Sequence, residues 1–100
     1  MDSDSRHIYV AFHERAGVIV SQTLAAFENV IQNVSRRREE YRFVQIRDQH
    51  TNTLKQQLED AAARFVQTNQ HHLQLDELQH GLQQIIKDYL HHFIMKTRTM

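Results

Sequence analysis

Five arginines stand close together, Arg36, Arg37, Arg38, Arg42 and Arg47, with Tyr41 and Phe43 among them. Guanidinium groups grip phosphate oxygens in a fork, and neighbouring rings can stack on bases. The segment is therefore a candidate nucleic-acid contact. Glu39, Glu40 and Asp48 lie in the same stretch, where a phosphate-binding face would avoid negative charge. On a helix Arg42 also finds a carboxylate three residues away. A solvated, salt-bridged helix face is the plainer reading, with nucleic-acid binding as the alternative.

Histidine is the second chemical type that stands out, with eight residues. Asp76 and His80 are four apart, as are Asp88 and His92, a spacing that puts both members on one helix face and that metal sites use. Neither pair has a matching pair on a second segment, so these read as surface histidines, with Asp88 holding His92, and no metal is assigned. With unperturbed values near 6.5, the histidines as a set predict stability or assembly changing between about pH 7 and pH 5. Nucleophilic chemistry finds no footing. Serines 3, 5, 21 and 35 lie outside any Gly-x-Ser-x-Gly turn, cysteine is absent, and no glycine-rich phosphate loop occurs. The carboxylate pairs Glu39-Glu40, Glu59-Asp60 and Asp76-Glu77 are sequence neighbours, and neighbours on a helix do not face each other. The chain reads as a non-enzyme without a cofactor.

The elements that carry these residues follow from what is missing. There is no proline, and glycine occurs only at 17 and 81, so helix breakers are absent from most of the chain. Val20, Leu24, Phe27, Ile31 and Val34 recur at spacings of four and three, and Tyr9, Phe12 and Ala16 continue the series backward through Gly17. One helix from about 5 to 34 is expected. A strand over His7–Phe12, suggested by its β-branched and aromatic content, would lack a partner strand.

Asn33 and Ser35 mark a boundary, after which Tyr41 and Val44 extend the apolar pattern. The stripe fades over Arg47–Thr51 and returns at Leu54, Leu58, Ala61, Ala62, Phe65 and Val66. Either one helix spans about 36–67, or the chain breaks near Asn52, with Thr53 and Gln56 as a capping box. The thin cluster of turn residues favours one helix. Residues 68–72 read as a loop. Asp76 is expected to cap a third helix to about 96, with Leu78, Leu82, Ile85, Ile86, Tyr89, Leu90, Phe93 and Ile94 on its apolar face.

The expected fold is a single all-α domain, a long helical hairpin plus a shorter C-terminal amphipathic helix, with coiled-coil character. At 1.5 Å per residue the first two helices would run about 45 Å and the third about 30 Å. A short third helix leaves part of the groove uncovered, and single chains rarely expose large apolar patches. Self-association, most simply as a homodimer, or a protein partner would cover it. The interface residues expected on this basis are Val20, Leu24, Phe27, Ile31, Leu82, Ile86, Tyr89, Leu90, Phe93 and Ile94.

Equal numbers of acidic and basic residues, twelve each, leave no global field for nucleic acid or anionic lipid. The acidic, polar N-terminal segment is unlike a secretory signal, and no apolar run approaches the roughly 20 residues of a membrane span. A cytoplasmic adaptor, regulator or chaperone-like protein acting by helix–helix association is the resulting expectation.

Overall fold

The computed structural model describes residues 3–35, 37–71 and 75–99, with side chains from residue 6 onward. Three helices form an up-down-up bundle: α1 (Ser3–Ile31), α2 (Glu40–Thr68) and α3 (Leu75–Arg98). No strand occurs among the described residues. The molecule is a rod of 53 × 17 × 16 Å with a radius of gyration of 16.0 Å. A globular chain of this length would have a radius near 13 Å, so the helices lie side by side along most of their length.

Aromatic contacts tie α1 to each of the other two helices and set their directions. Phe12 of α1 meets Phe65 of α2 edge to face at 5.4 Å, and Phe27 of α1 meets Phe43 at 5.6 Å. Ascending residues on α1 thus meet descending residues on α2, so the pair is antiparallel. Phe27 also meets Phe93 of α3 at 6.2 Å, and the ring of Tyr9 lies against Gly81, so α1 and α3 run parallel. Phe12, Phe27, Leu54, Leu58, Leu82 and Phe93 are fully buried. A fully buried side chain of this kind stabilises by about 1.5–3 kcal/mol. The two buried hydroxyls, Thr23 and Thr97, donate to the carbonyls of Ile19 and Phe93 four residues back, both at 2.9 Å.

α2 runs unbroken through Asn52, and its polar middle is satisfied within the helix. His50 Nδ1 lies 2.8 Å from the Ile46 carbonyl, and Thr51 and Thr53 donate to the carbonyls of Arg47 and Gln49. Threonine and histidine are weak helix formers, so Leu54 and Leu58, both at 0% exposure, must hold this stretch against the bundle.

Several boundaries differ from expectation. α1 ends at Ile31, not near 34, and α2 starts at Glu40, not at 36. Between them Ser35 and Glu39 close a local turn. The Glu39 carboxylate accepts from the Ser35 N–H at 3.1 Å, and the Ser35 hydroxyl accepts from the Arg38 N–H at 3.4 Å. The pair closes the connection and caps no helix: the N-cap of α2 is Glu39, which makes no side-chain cap hydrogen bond. The break resets the helical phase. Phe43 and Ile46 therefore face inward, and Tyr41, expected on the apolar stripe, is 77% exposed.

The third helix is longer than expected, with 24 residues against 29 in each of the others. Asp76 lies inside its first turn and is not its cap; residues 72–74, the end of the expected loop among them, lie outside the described residues. At 1.5 Å per residue α3 is about 36 Å long against about 43 Å for its neighbours. It buries residues from Leu78 to Thr97, so the uncovered groove expected from a short third helix is largely filled.

Candidate interaction surfaces

The ten residues expected at an interface divide into two groups. Val20, Phe27, Leu82, Ile86 and Phe93 are buried in the chain's own core. Leu24, Ile31, Tyr89 and Leu90 are half-buried and pack against that core, and Ile94 is half-buried. Tyr89 is further engaged with α1: its hydroxyl donates to the His13 carbonyl at 3.2 Å, and His13 Nδ1 lies 3.2 Å from the Tyr89 hydroxyl oxygen. The two seams read from the sequence face each other within the bundle.

The surface that sequence periodicity missed is the other side of α1. Val10 and Val18 are 52% and 48% exposed, and Ala11, Ser21 and Ala25 are exposed with them. At 100° per residue, His7, Val10, Glu14, Val18, Ser21, Ala25 and Glu28 fall within an arc of about 80°. Gly17 borders that arc, and a Cβ there would meet nothing within 4 Å. α1 is the most apolar and least amphipathic of the three helices. A signal for this was present: the positions between the seam residues are valine, alanine, glycine and serine more often than charged residues. The inner seam, being more regular, masked it.

The arginine segment lies at one end of the rod. Arg37 and Arg38 are exposed, Arg47 is half-buried, and Arg36 lies outside the described residues. Arg42 is engaged by Glu39 at 3.4 Å, with its side chain 64% exposed. Glu39 thus serves Ser35 and Arg42 together, and its charge is used locally. Because α3 runs parallel to α1, its last turn with Lys96 and Arg98 comes to the same end. Glu40 and Asp48 remain exposed there.

No family model, curated protein or solved structure matches this chain. Besides the α1 face and the basic end, an open cleft of about 330 Å³ runs between α1 and α2. Arg15, Gln22, Gln57, Asp60 and Arg64 line it above Ile19, Ala61 and Phe65. Asp60 accepts from Gln56 at 2.9 Å. The cleft mixes charges of both signs over a floor the bundle has already buried.

The histidine pairs are not assembled into a site. Asp88 accepts from Gln84 at 3.3 Å, the partner expected for it having been His92. Among the described residues no group of three or more His, Asp or Glu side chains converges in a way that could hold a metal. No described helix is long and apolar enough to cross a membrane.

Proposed function

We propose that this chain is a non-catalytic interaction protein, an adaptor, regulator or chaperone-like component, that binds by helix–helix contact with itself or with a protein partner. The observation that carries the reading is the outward face of α1. Val10, Val18 and Ala25 are exposed, interleaved with His7, Glu14, Ser21 and Glu28, on a helix whose opposite face is already committed to the core. Exposed valines and an alanine at helical spacing can seat a further helix by knobs-into-holes packing, with the interleaved polar residues left to fix its register.

A photoreactive residue at Val18, introduced in the cells that make the protein, tests this. A cross-linked adduct, of twice the chain mass or of the chain plus another protein, is expected. An uncross-linked monomer at positions 10 and 18 alike would refute it.

A second reading is favoured by the basic end. Glu39 is occupied by Ser35 and Arg42, and Tyr41, whose hydroxyl accepts from Gln45, is 77% exposed in the same segment as Arg37, Arg38 and Arg42. These groups suit a phosphate backbone with a base stacked on the ring. For three arginine contacts to a single strand, the slope of log affinity against log salt is about −2. Affinity that ignores salt excludes this use of the arginines.

A further inference from the structure

Two features of α1 and of the rod select what covers the outward strip. The first is its symmetry. Turned end for end about the Gly17–Val18 peptide, the strip falls on itself with matched chemistry. Val10 then lies opposite Ala25, Glu14 opposite Ser21, and His7, with Arg6 beside it, opposite Glu28. A cation meets a carboxylate at each end, and a hydroxyl that can donate meets Glu14. Gly17, half-buried, borders the strip at mid-length, and with no side chain it lets a second backbone come close there. Among the described residues, Arg6, Glu14 and Glu28 have no ion pair within the protomer. A parallel arrangement would instead set Glu14 on Glu14 and Glu28 on Glu28.

The second feature is the polarity of the rod. The half that holds the α1–α2 connection, the turn half, carries seven basic and five acidic described side chains, with Arg37, Arg38, Arg42 and Lys96 toward its end. The other half carries four basic and five acidic, with Glu59, Asp60, Asp76 and Glu77 toward its end. An antiparallel pair sets each half beside the opposite half of the other copy. Opposed fields of this kind steer association and fix orientation.

We infer that α1 docks against α1 of a second copy, antiparallel, about a two-fold axis that passes between the Gly17–Val18 peptides of the two copies. This rests on the helix–helix reading above and specifies its occupant. The strip from His7 to Glu28 is about 32 Å long at 1.5 Å per residue and only one helix face wide. Its area is therefore at or below the low end of the roughly 1,200–2,000 Å² of stable interfaces. The dimer is a reversible one that dissociates on dilution, with a dissociation constant on the order of micromolar.

The chain has no cysteine, which makes single-cysteine variants clean probes. Across the proposed axis Val18→Cys lies next to its symmetry mate, and oxidation should give a disulfide dimer. Val10→Cys and Ala25→Cys place their own mates about 22 Å apart along the helix, far beyond the roughly 7 Å limit for a bridge. Each should stay monomeric alone, and the two mixed should cross-link.

Sedimentation equilibrium of the intact chain should show a monomer–dimer equilibrium. Glu28→Arg is expected to weaken it about tenfold, and Arg6→Glu combined with Glu28→Arg to restore it, with helicity unchanged in both. Cross-linking of all three single cysteines alone would mean a parallel pair and overturn the inference. So would a monomer at every concentration up to the millimolar range. If that monomer still cross-links to a different protein at Val18 in cells, the second copy is wrong and the helix–helix reading stands. If it cross-links to nothing, both fall.

Discussion

Replacing each glycine with alanine in turn adds one methyl group to a helix interior, yet the two sites present it with opposite surroundings. At Gly17 nothing lies within 4 Å of the new Cβ. The variant should therefore gain the full helix preference of alanine over glycine, about 0.8–1.0 kcal/mol. For a domain of this size that raises the melting temperature by about 4–8 °C. At Gly81 the new Cβ would lie 2.7 Å from Cε1 and Cζ of Tyr9, closer than carbon atoms pack. The Tyr9 ring is half-buried, and its hydroxyl donates to the Glu77 carbonyl at 3.3 Å. Moving it aside forfeits that hydrogen bond, about 0.5–1.5 kcal/mol, and the ring's packing on the core. Overpacking of this sort costs about 1–3 kcal/mol, which offsets or exceeds the propensity gain. Gly81→Ala should thus fall about 1–3 kcal/mol below Gly17→Ala. Urea and thermal unfolding followed by circular dichroism, at concentrations low enough to keep the chain monomeric, reads the difference. Truncating Tyr9 to leucine should relieve Gly81→Ala, with a coupling of about 1 kcal/mol in the double-mutant cycle. Equal stabilisation by both alanines would refute the Tyr9–Gly81 packing, and with it the close parallel approach of α1 and α3.

Other expectations follow from single side chains. Phe27 touches Phe43, His50 and Phe93; Phe27→Ala should cost about 3–5 kcal/mol, and a well-folded variant by near-ultraviolet dichroism would contradict its central place. Glu39→Ala removes the acceptor for the Ser35 N–H and for Arg42. Its loss should destabilise by about 0.5–1.5 kcal/mol, with faster amide exchange confined to residues 35–43. Tyr89→Phe deletes the contact to the His13 carbonyl and should cost about 0.5–1.5 kcal/mol; an unchanged urea midpoint would show that water replaces it fully.

The inner seams were readable because they repeat over many turns. Val20, Leu24, Phe27 and Ile31, and later Leu54, Leu58 and Ala61, mark helices whatever lies outside them. The connection from 32 to 39 was harder to read. Its closing pair, Ser35 and Glu39, stands one residue wider than a standard box, and a helical phase carried across it pointed Tyr41 inward. The end of α3 was hidden for a related reason: Thr97 is polar in sequence, but its hydroxyl is satisfied by the carbonyls of Phe93 and Ile94, so it can be buried like valine. The α1 strip carries no period of its own. It becomes visible only once the bundle shows which side of the helix the core has taken.

The placement of His50 has a practical consequence. Its ring stands 5.6 Å from that of Phe27, nearly perpendicular to it, within the aromatic cluster of the turn half. The imidazole protons there lie in the ring-current field of a neighbouring ring, so His50 should give displaced proton resonances. His13, tilted against Tyr89 at 5.7 Å, gives a second such signal from the α1–α3 contact. The rod thus carries native spectroscopic markers at two of its helix contacts, able to report which part of the bundle loosens first without any label being attached.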